Sequence, residues 1–241
     1  ALQHRKETFE RQDPVKRELD HLQEESKKTK TMIHLLNEEL FTSLKFPIDL
    51  IEYADPEFAS HSKNVSWLAK RFALQMKLEH VRLCELAGLY HDIGKMEMSM
   101  YFIENQTTGV NPHNEIPPEE SAEIIIGHVI KGIEKAQKNK LPEEIIDFIR
   151  THHGTTRVEY FYNLSKQDIE MDPETEKKFI YPGPLPYSKE TAVLMMADAV
   201  EAASRSLSRP TKDSLDDLVE KIIDQQIKLN QFSNSNITFK D

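Results

Sequence analysis

The sequence predicts an all-α fold, a bundle of amphipathic helices preceded by a charged connector helix. Apolar residues recur at alternating steps of three and four through most of the chain, the spacing that keeps them on one face of a helix. Only 7 glycines occur in 241 residues, too few to punctuate many short strands. Strand character is confined to Ile237–Phe239, which suits a hairpin or short edge, and no internal repeat is present.

Residues 1–45 form the connector. They are dense in charge and free of glycine, and Leu19, Leu22, Ser26, Thr29, Ile33, Leu36 and Leu40 make a heptad seam that is weak in its middle. A solvated connector and a short dimerising coiled coil both fit this pattern. His4, His21 and His34 lie here without acidic or histidine partners and read as surface residues, and Pro47 ends the segment.

The second domain, 46–241, is a succession of helices. In SHSKNVSWLAKRFALQM, Val65, Leu68, Ala69, Phe72 and Met76 share a face. Val81 to His91 follows, and Ser121 to Lys138 carries Ile124, Ile125, His128, Val129 and Gly132 along a stripe. LPEEIIDFIRTHHG starts at Pro142 with two glutamates that suit a helix N-terminus, and Gly154 closes it as a left-handed cap. Ser188 caps a run to Leu207 that Pro210 stops, and Leu215, Leu218, Val219, Ile222, Ile223 and Ile227 line a last amphipathic helix. Residues 99–120 and 156–187 read as two long non-helical stretches, rich in aromatics, amides and prolines; loops of that length usually line a site.

Composition narrows the function. With 38% apolar and 30% charged residues the chain is globular and polar, and its net charge of -10 opposes binding to a nucleic-acid polymer. An anionic substrate would need a local positive centre, such as metal ions. The single Cys84 excludes an internal disulfide and points to a reducing compartment; within VRLCELAGLY it reads as core packing. No apolar run approaches the ~20 residues that cross a bilayer, and no signal peptide is present. The chain begins with Ala, as a processed or excised fragment would.

Polar residues stand where periodicity calls for core. His91 and Asp92 end one helix, His128 lies within IIIGHVI, His152 and His153 end another, Asp198 lies within VLMMADAVEAA, and His61 sits near the start of the first amphipathic helix. A buried unpaired aspartate costs several kcal/mol, so Asp198 needs cationic partners. Seven nitrogen and oxygen ligands without cysteine exceed one tetrahedral zinc site and suit two ions ~3.5–4 Å apart, bridged by a carboxylate. Asp92 would bridge them, and His91, rotated about 100° round the helix end, would bind one. Gly94 would let the backbone turn away and leave Lys95 at the rim to meet a phosphate.

The order His61, His91-Asp92, Asp198 resembles the HD superfamily of metal-dependent phosphohydrolases, and His128 with His152-His153 resembles its binuclear branch. YHDIGK, YFIENQ, NPHN, HHGTTRVEYFY, YPGPLP and MADAVEAASRSL resemble the cytoplasmic domain of seven-transmembrane HD proteins, the PgpH-type phosphodiesterases that hydrolyse cyclic di-AMP. EFASHSKNVSWLAKRF follows that pattern only at its His-Ser pair and Val65, and a proline expected after Lys95 is absent. The resemblance implies a helical HD domain with two iron or manganese ions on the seven ligands named. The reaction implied opens one phosphodiester of cyclic di-AMP to give linear pApA. It also implies a cytoplasmic domain of a bacterial inner-membrane protein, with an upstream membrane or sensory part and a homodimer as one option.

The implied chemistry is in-line attack by a hydroxide held between the ions, with Asp92 and Lys95 as catalytic residues. Lys95 reads as a phosphate contact or a solvated lysine, and Arg205 as a contact to the second phosphate or the salt-bridge partner of Glu201. Asn105, Gln106 and His113 read as base or phosphate contacts, and Tyr101 and Tyr160 as adenine-stacking or core residues. Cyclic di-GMP enzymes of the HD-GYP type carry a Gly-Tyr-Pro motif that HHGTTRVEYFY lacks. A nucleotide-sensing HD domain without activity would have lost ligands. A mononuclear HD phosphohydrolase would leave three histidines unexplained.

Overall fold

The computed structural model describes residues 16, 18–33, 35, 36, 38–44, 55–102, 111–168, 171–238 and 240. Two units are present, residues 1–46 and 47–241. In the first, the described residues from 18 to 44 form helix α1. Its seam residues Leu19, Leu22, Ile33, Leu36 and Leu40 are each more than half exposed. His21 is exposed, but its Nδ1 lies 3.9 Å from Glu25 Oε2, so it does have an acidic neighbour. His4, His34 and Pro47 lie outside the described residues.

The second unit contains α2 (Pro56–Gln75), α3 (Val81–Tyr90), α4 (Pro118–Lys138), α5 (Glu143–Thr151), α6 (Glu159–Asp168), α7 (Pro173–Lys177), α8 (Lys189–Ser204) and α9 (Lys212–Lys228). Short 3-10 turns at Ile93–Glu97, Ser99–Tyr101 and Pro112–Glu115 link α3 to α4. Among the described residues no strand forms; one isolated antiparallel bridge joins Arg157 and Ile180.

Helix α8 is the axis of the core. Its apolar side chains are spread round the helix rather than along one stripe, the pattern of a helix covered on all sides. Val193, Leu194 and Ala197 are fully buried against Val65, Ala69 and Ala73 of α2, Cys84 and Ala87 of α3, and Phe148 of α5. Full burial of a side chain such as Leu194 contributes roughly 1.5–3 kcal/mol. The helix begins at a capping box between Ser188 and Thr191. It ends at Ser204, three residues before Leu207, with Arg205 as its C-cap. Cys84 belongs to this core, and burial pushes its thiol up to about 12, so it stays protonated and inert.

Two sequence expectations change. The stretch 156–187 is not a long loop, since it holds α6 and α7. Its aromatics Phe161 and Phe179 close over Ala122 of α4 in a second core cluster, joined by Val158 and Tyr162. Its prolines partly mark helix starts: Pro173 opens α7 behind Asp172, whose carboxylate accepts from the Glu174 and Thr175 amides. Pro118 likewise starts α4 ahead of Ser121. Ile237 and Thr238 pair with no strand; Ile237 packs on the α8 core, and Phe239 lies outside the described residues.

Candidate metal centre

Five elements meet at one buried point. His61 comes from α2, His91 is the C-cap of α3 with Asp92 next to it, His128 comes from α4, His152 caps α5 with His153 following, and Asp198 lies on α8. All are buried except His153, which is partly open. They fall into two groups of four, His61–His91–Asp92–Asp198 and Asp92–His128–His152–His153, each with its ligand atoms within 4.8 Å of one another.

Asp92 belongs to both groups. Its Oδ2 lies 3.1 Å from His61 Nε2 and 3.2 Å from His91 Nε2, while Oδ1 lies 3.2 Å from His128 Nε2 and 3.6 Å from His152 Nε2. Each oxygen thus faces its own group. Asp198 Oδ1 lies 3.4 and 3.5 Å from the Nε2 atoms of His61 and His91, and Oδ2 lies 3.9 Å from His153 Nδ1.

Ring orientation is set locally. The Nδ1–H groups of His91, His128 and His152 donate to the carbonyls of Gly88, Ile125 and Ile149, each three residues back on the same helix. That leaves each Nε2 turned to the centre. His61 differs: its Nδ1 meets the Glu201 carboxylate at 2.6 Å. The pattern fits metal ligation, in which the outer ring nitrogen is held so that the inner one can coordinate. His128 Nε2 and His152 Nε2 stand 3.2 Å apart, and two bare nitrogen lone pairs at that distance favour a cation between them. His91 Nε2 and Asp92 Oδ1 are buried without an aligned hydrogen-bond partner. An all-nitrogen and oxygen donor set with orphaned lone pairs fits divalent ions.

Electrostatics distinguish the groups. Burial disfavours charge on His61, yet Asp198, Asp92 and Glu201 raise it to about 11. Burial likewise opposes charge on His91, and Asp92 and Asp198 raise it to about 9. Burial also works against the Asp92 and Asp198 carboxylates, but the surrounding histidines hold both well below the usual range. Burial lowers His152 and, with neighbouring histidines, His153. Metal uptake in the first group must therefore expel protons, whereas His152 and His153 are already neutral.

The sign for stability follows. His61 and His91 are raised above 6.5, so their contribution to the metal-free protein is complete below that pH and is lost as pH rises toward about 9 and about 11. The depressed aspartates contribute above the ordinary carboxylate range and lose that contribution as pH falls through it. Metal-free protein should therefore melt at a lower temperature at pH 9 than at pH 6.5, and metal uptake should tighten over the same interval with proton release. Calorimetric titration in two buffers of different ionisation enthalpy counts the protons; zero release with a flat melting temperature would contradict this charge assignment.

A cavity of about 460 Å³ adjoins the second group, reaching His128 and His153 and walled by Tyr101, Phe102, Tyr160, Phe161 and Tyr181. Tyr181 stacks on His153 with ring centroids 4.2 Å apart. Lys95 lines it too, but it points inward: its Nζ lies 2.6 Å from Asp92 Oδ2 and 5.2 Å above the Phe102 ring. A solvated lysine is therefore excluded. His113 is buried, donates from Nε2 to the Tyr101 carbonyl, and keeps Nδ1 without a partner. Tyr160 is 68% exposed, so it is not core. Asn105 and Gln106 lie outside the described residues.

Arg205 is not among the residues lining this cavity. Its guanidinium is held by Glu201 Oε1 at 2.9 Å from Nη2, the salt-bridge alternative. Glu201 is the residue that sequence reasoning undervalued. Burial pushes its carboxyl up, but His61 and Arg205 outweigh this and hold it at about 2. The available signal was its spacing, since a residue three after Asp198 shares its helix face.

Residues 58–203 match the HD domain model. The chain is 41% identical over 159 residues to the cyclic-di-AMP phosphodiesterase PgpH of Bacillus subtilis, covering 66% of this chain and 22% of that protein. It is 38% identical over 182 residues to PgpH of Listeria monocytogenes, covering 75% and 25%. The chain thus spans about a quarter or less of the length of these relatives. The solved HD domain of L. monocytogenes PgpH in complex with cyclic-di-AMP superposes with a TM-score of 0.74 at 36% identity, covering 80% of this chain and 89% of that one. With the paired histidine and aspartate of the family at its buried centre, the chain belongs to the HD-domain family.

Proposed function

We propose that this chain is a metal-dependent phosphodiesterase domain that opens cyclic di-AMP to linear pApA. The observation that carries the reading is the shared Asp92, with one oxygen facing each of two complete four-residue groups. The seven residues would hold two divalent ions, iron or manganese. Such a pair supplies a nucleophile near neutral pH and positive charge against a phosphate.

The chain's own residues do the rest. Fixed Nδ1–H donors keep the rings turned inward, so no reorganisation is needed as charge develops. The aromatic walls offer stacking faces for purines. No described residue lining the cavity is acidic although the chain carries a net -10, so this face accepts an anion. His113 lines the same cavity. PgpH of L. monocytogenes binds cyclic-di-AMP on an HD domain of the same fold, which supports the choice of substrate. Metal analysis of protein purified without chelator, with cyclic di-AMP and cyclic di-GMP turnover in parallel, tests the reading. One zinc per chain in fully active protein would overturn it.

Lys95→Ala should keep both ions and weaken a phosphate contact, at about 1–3 kcal/mol in kcat/KM. Unchanged turnover would remove Lys95 from the site. The N-terminal helix, on this reading, transmits a signal from an upstream membrane or sensory part of a cytoplasm-facing protein, or pairs with a second copy through its exposed seam. Among the described residues no helix is long and apolar enough to cross a membrane. Deleting residues 1–40 should leave turnover of the remaining domain largely intact, as steady-state kinetics on the truncated protein would show; lost metal binding would make the helix part of the site.

A further inference from the structure

We propose that Glu201 is a positioning residue for one of the two ions: it sets the orientation and donor strength of His61, and so governs the His61–His91–Asp92–Asp198 group but not the other. The inference rests on the two-ion reading above. His91, His128 and His152 each find a neutral acceptor on their own helix, a carbonyl three residues back. His61 lies within α2, and its Nδ1 instead meets a carboxylate contributed by α8, 140 residues along the chain.

That carboxylate is not free to turn. Asn64 Nδ2 donates to Glu201 Oε1 at 3.1 Å, and Arg205 donates to the same oxygen from Nε at 3.1 Å and Nη2 at 2.9 Å. Asn64 lies one turn after His61 on α2, and Arg205 one turn after Glu201 beyond α8. Both clamp residues take Oε1 and leave Oε2 to His61. A salt bridge serving only to join Glu201 and Arg205 has no need of that division, or of a carboxylate buried to 4% exposure. A carboxylate accepting the outer N–H of a ligand histidine fixes its tautomer and raises the basicity of the inner nitrogen. The first group then has Asp198 Oδ1 and Glu201 in addition to the shared Asp92, while the second has Asp92 and only the more distant Asp198 Oδ2, 3.9 Å from His153. The two ions sit in unequal fields.

The test is manganese titration of the chelator-treated full chain, followed by calorimetry and by electron paramagnetic resonance, comparing wild type with Glu201→Gln, Glu201→Ala and Arg205→Ala. Gln keeps the shape and an acceptor but removes the charge. In Glu201→Ala one ion should weaken about 10–100-fold while the other is unchanged, and the spin-coupled two-manganese signal should give way to that of a single ion. Glu201→Gln should lose less, and Arg205→Ala, which keeps the carboxylate and loosens its clamp, less again in the same site. Equal weakening of both ions, no weakening, or a Gln variant as impaired as the Ala variant overturns the proposal. Since Gln is isosteric, it decides the matter if the Ala variant fails to fold. A wild-type protein that binds fewer than two ions overturns the two-ion reading, and this inference with it.

Discussion

Asp92→Ala should break up the two-ion centre and, on the proposed function, abolish the reaction. The carboxylate belongs to both four-residue groups: Oδ2 faces His61 and His91, and Oδ1 faces His128 and His152. Its removal leaves four histidines and Lys95 around a point that has lost its shared negative charge. At least one ion should be lost, and on the proposed function hydrolysis of cyclic di-AMP should fall on the order of 10³-fold or more, because the ions would supply both nucleophile and charge stabilisation. Binding should weaken as well, since in a chain of net charge -10 the ions would be the main attraction for two phosphates. Breaking a buried ion-pair network also costs stability, about 3–5 kcal/mol. Asp92→Asn separates the two effects: it keeps the shape and one oxygen, so it should retain more of the fold while still losing the bridge. Metal content and turnover measured on both variants check this. Two ions and near-normal hydrolysis in Asp92→Ala would show that Asp92 does not bridge.

The seven clustered residues were legible because each breaks a local rule. A histidine inside IIIGHVI or an aspartate inside VLMMADAV has no place in an apolar helix unless a polar partner waits there, and the structure puts those partners together. Glu201 breaks no such rule. It stands on the helix beside Arg205, and the pairing of the two is real, so its spacing from Asp198 was the one signal of a role for its second oxygen. Lys95 looked like a rim residue because lysines usually are; its inward turn follows Asp92, three residues back, which the fold buries at the centre, and the Phe102 ring it lies over. Helices α6 and α7 were hidden by prolines and aromatics that read as loop but serve as a helix start and core. Gly94 was read as freedom to turn. Its backbone is not left-handed, unlike those of Gly154 and Gly183. What it provides is room.

That room makes Gly94→Ala the second large effect, through packing alone. A Cβ at Gly94 would overlap the His128 carbonyl oxygen and stand 2.6 Å from Gly132 N and 2.8 Å from the His128 carbonyl carbon. All three are backbone atoms of α4, so no side chain can swing aside. Ordinary carbon–oxygen contact needs ~3.3 Å, and α4 would have to withdraw by more than an ångström from the turn that follows Asp92. His128 would withdraw with it and open its 3.2 Å approach to Asp92. The expected cost is about 3 kcal/mol or more, which for a chain of this size lowers the melting temperature by roughly 6–12 °C. The ion held with His128 should bind more weakly. Gly127→Ala is the matched control on the same helix, where an added Cβ meets nothing within 4 Å. Replacing an open helical glycine by alanine should be neutral or stabilising by about 0.5–1 kcal/mol. Thermal melts and metal counts on both variants settle the comparison. If Gly94→Ala melts and loads metal like the wild type, the close contact of α4 with the Asp92 turn does not hold the centre together.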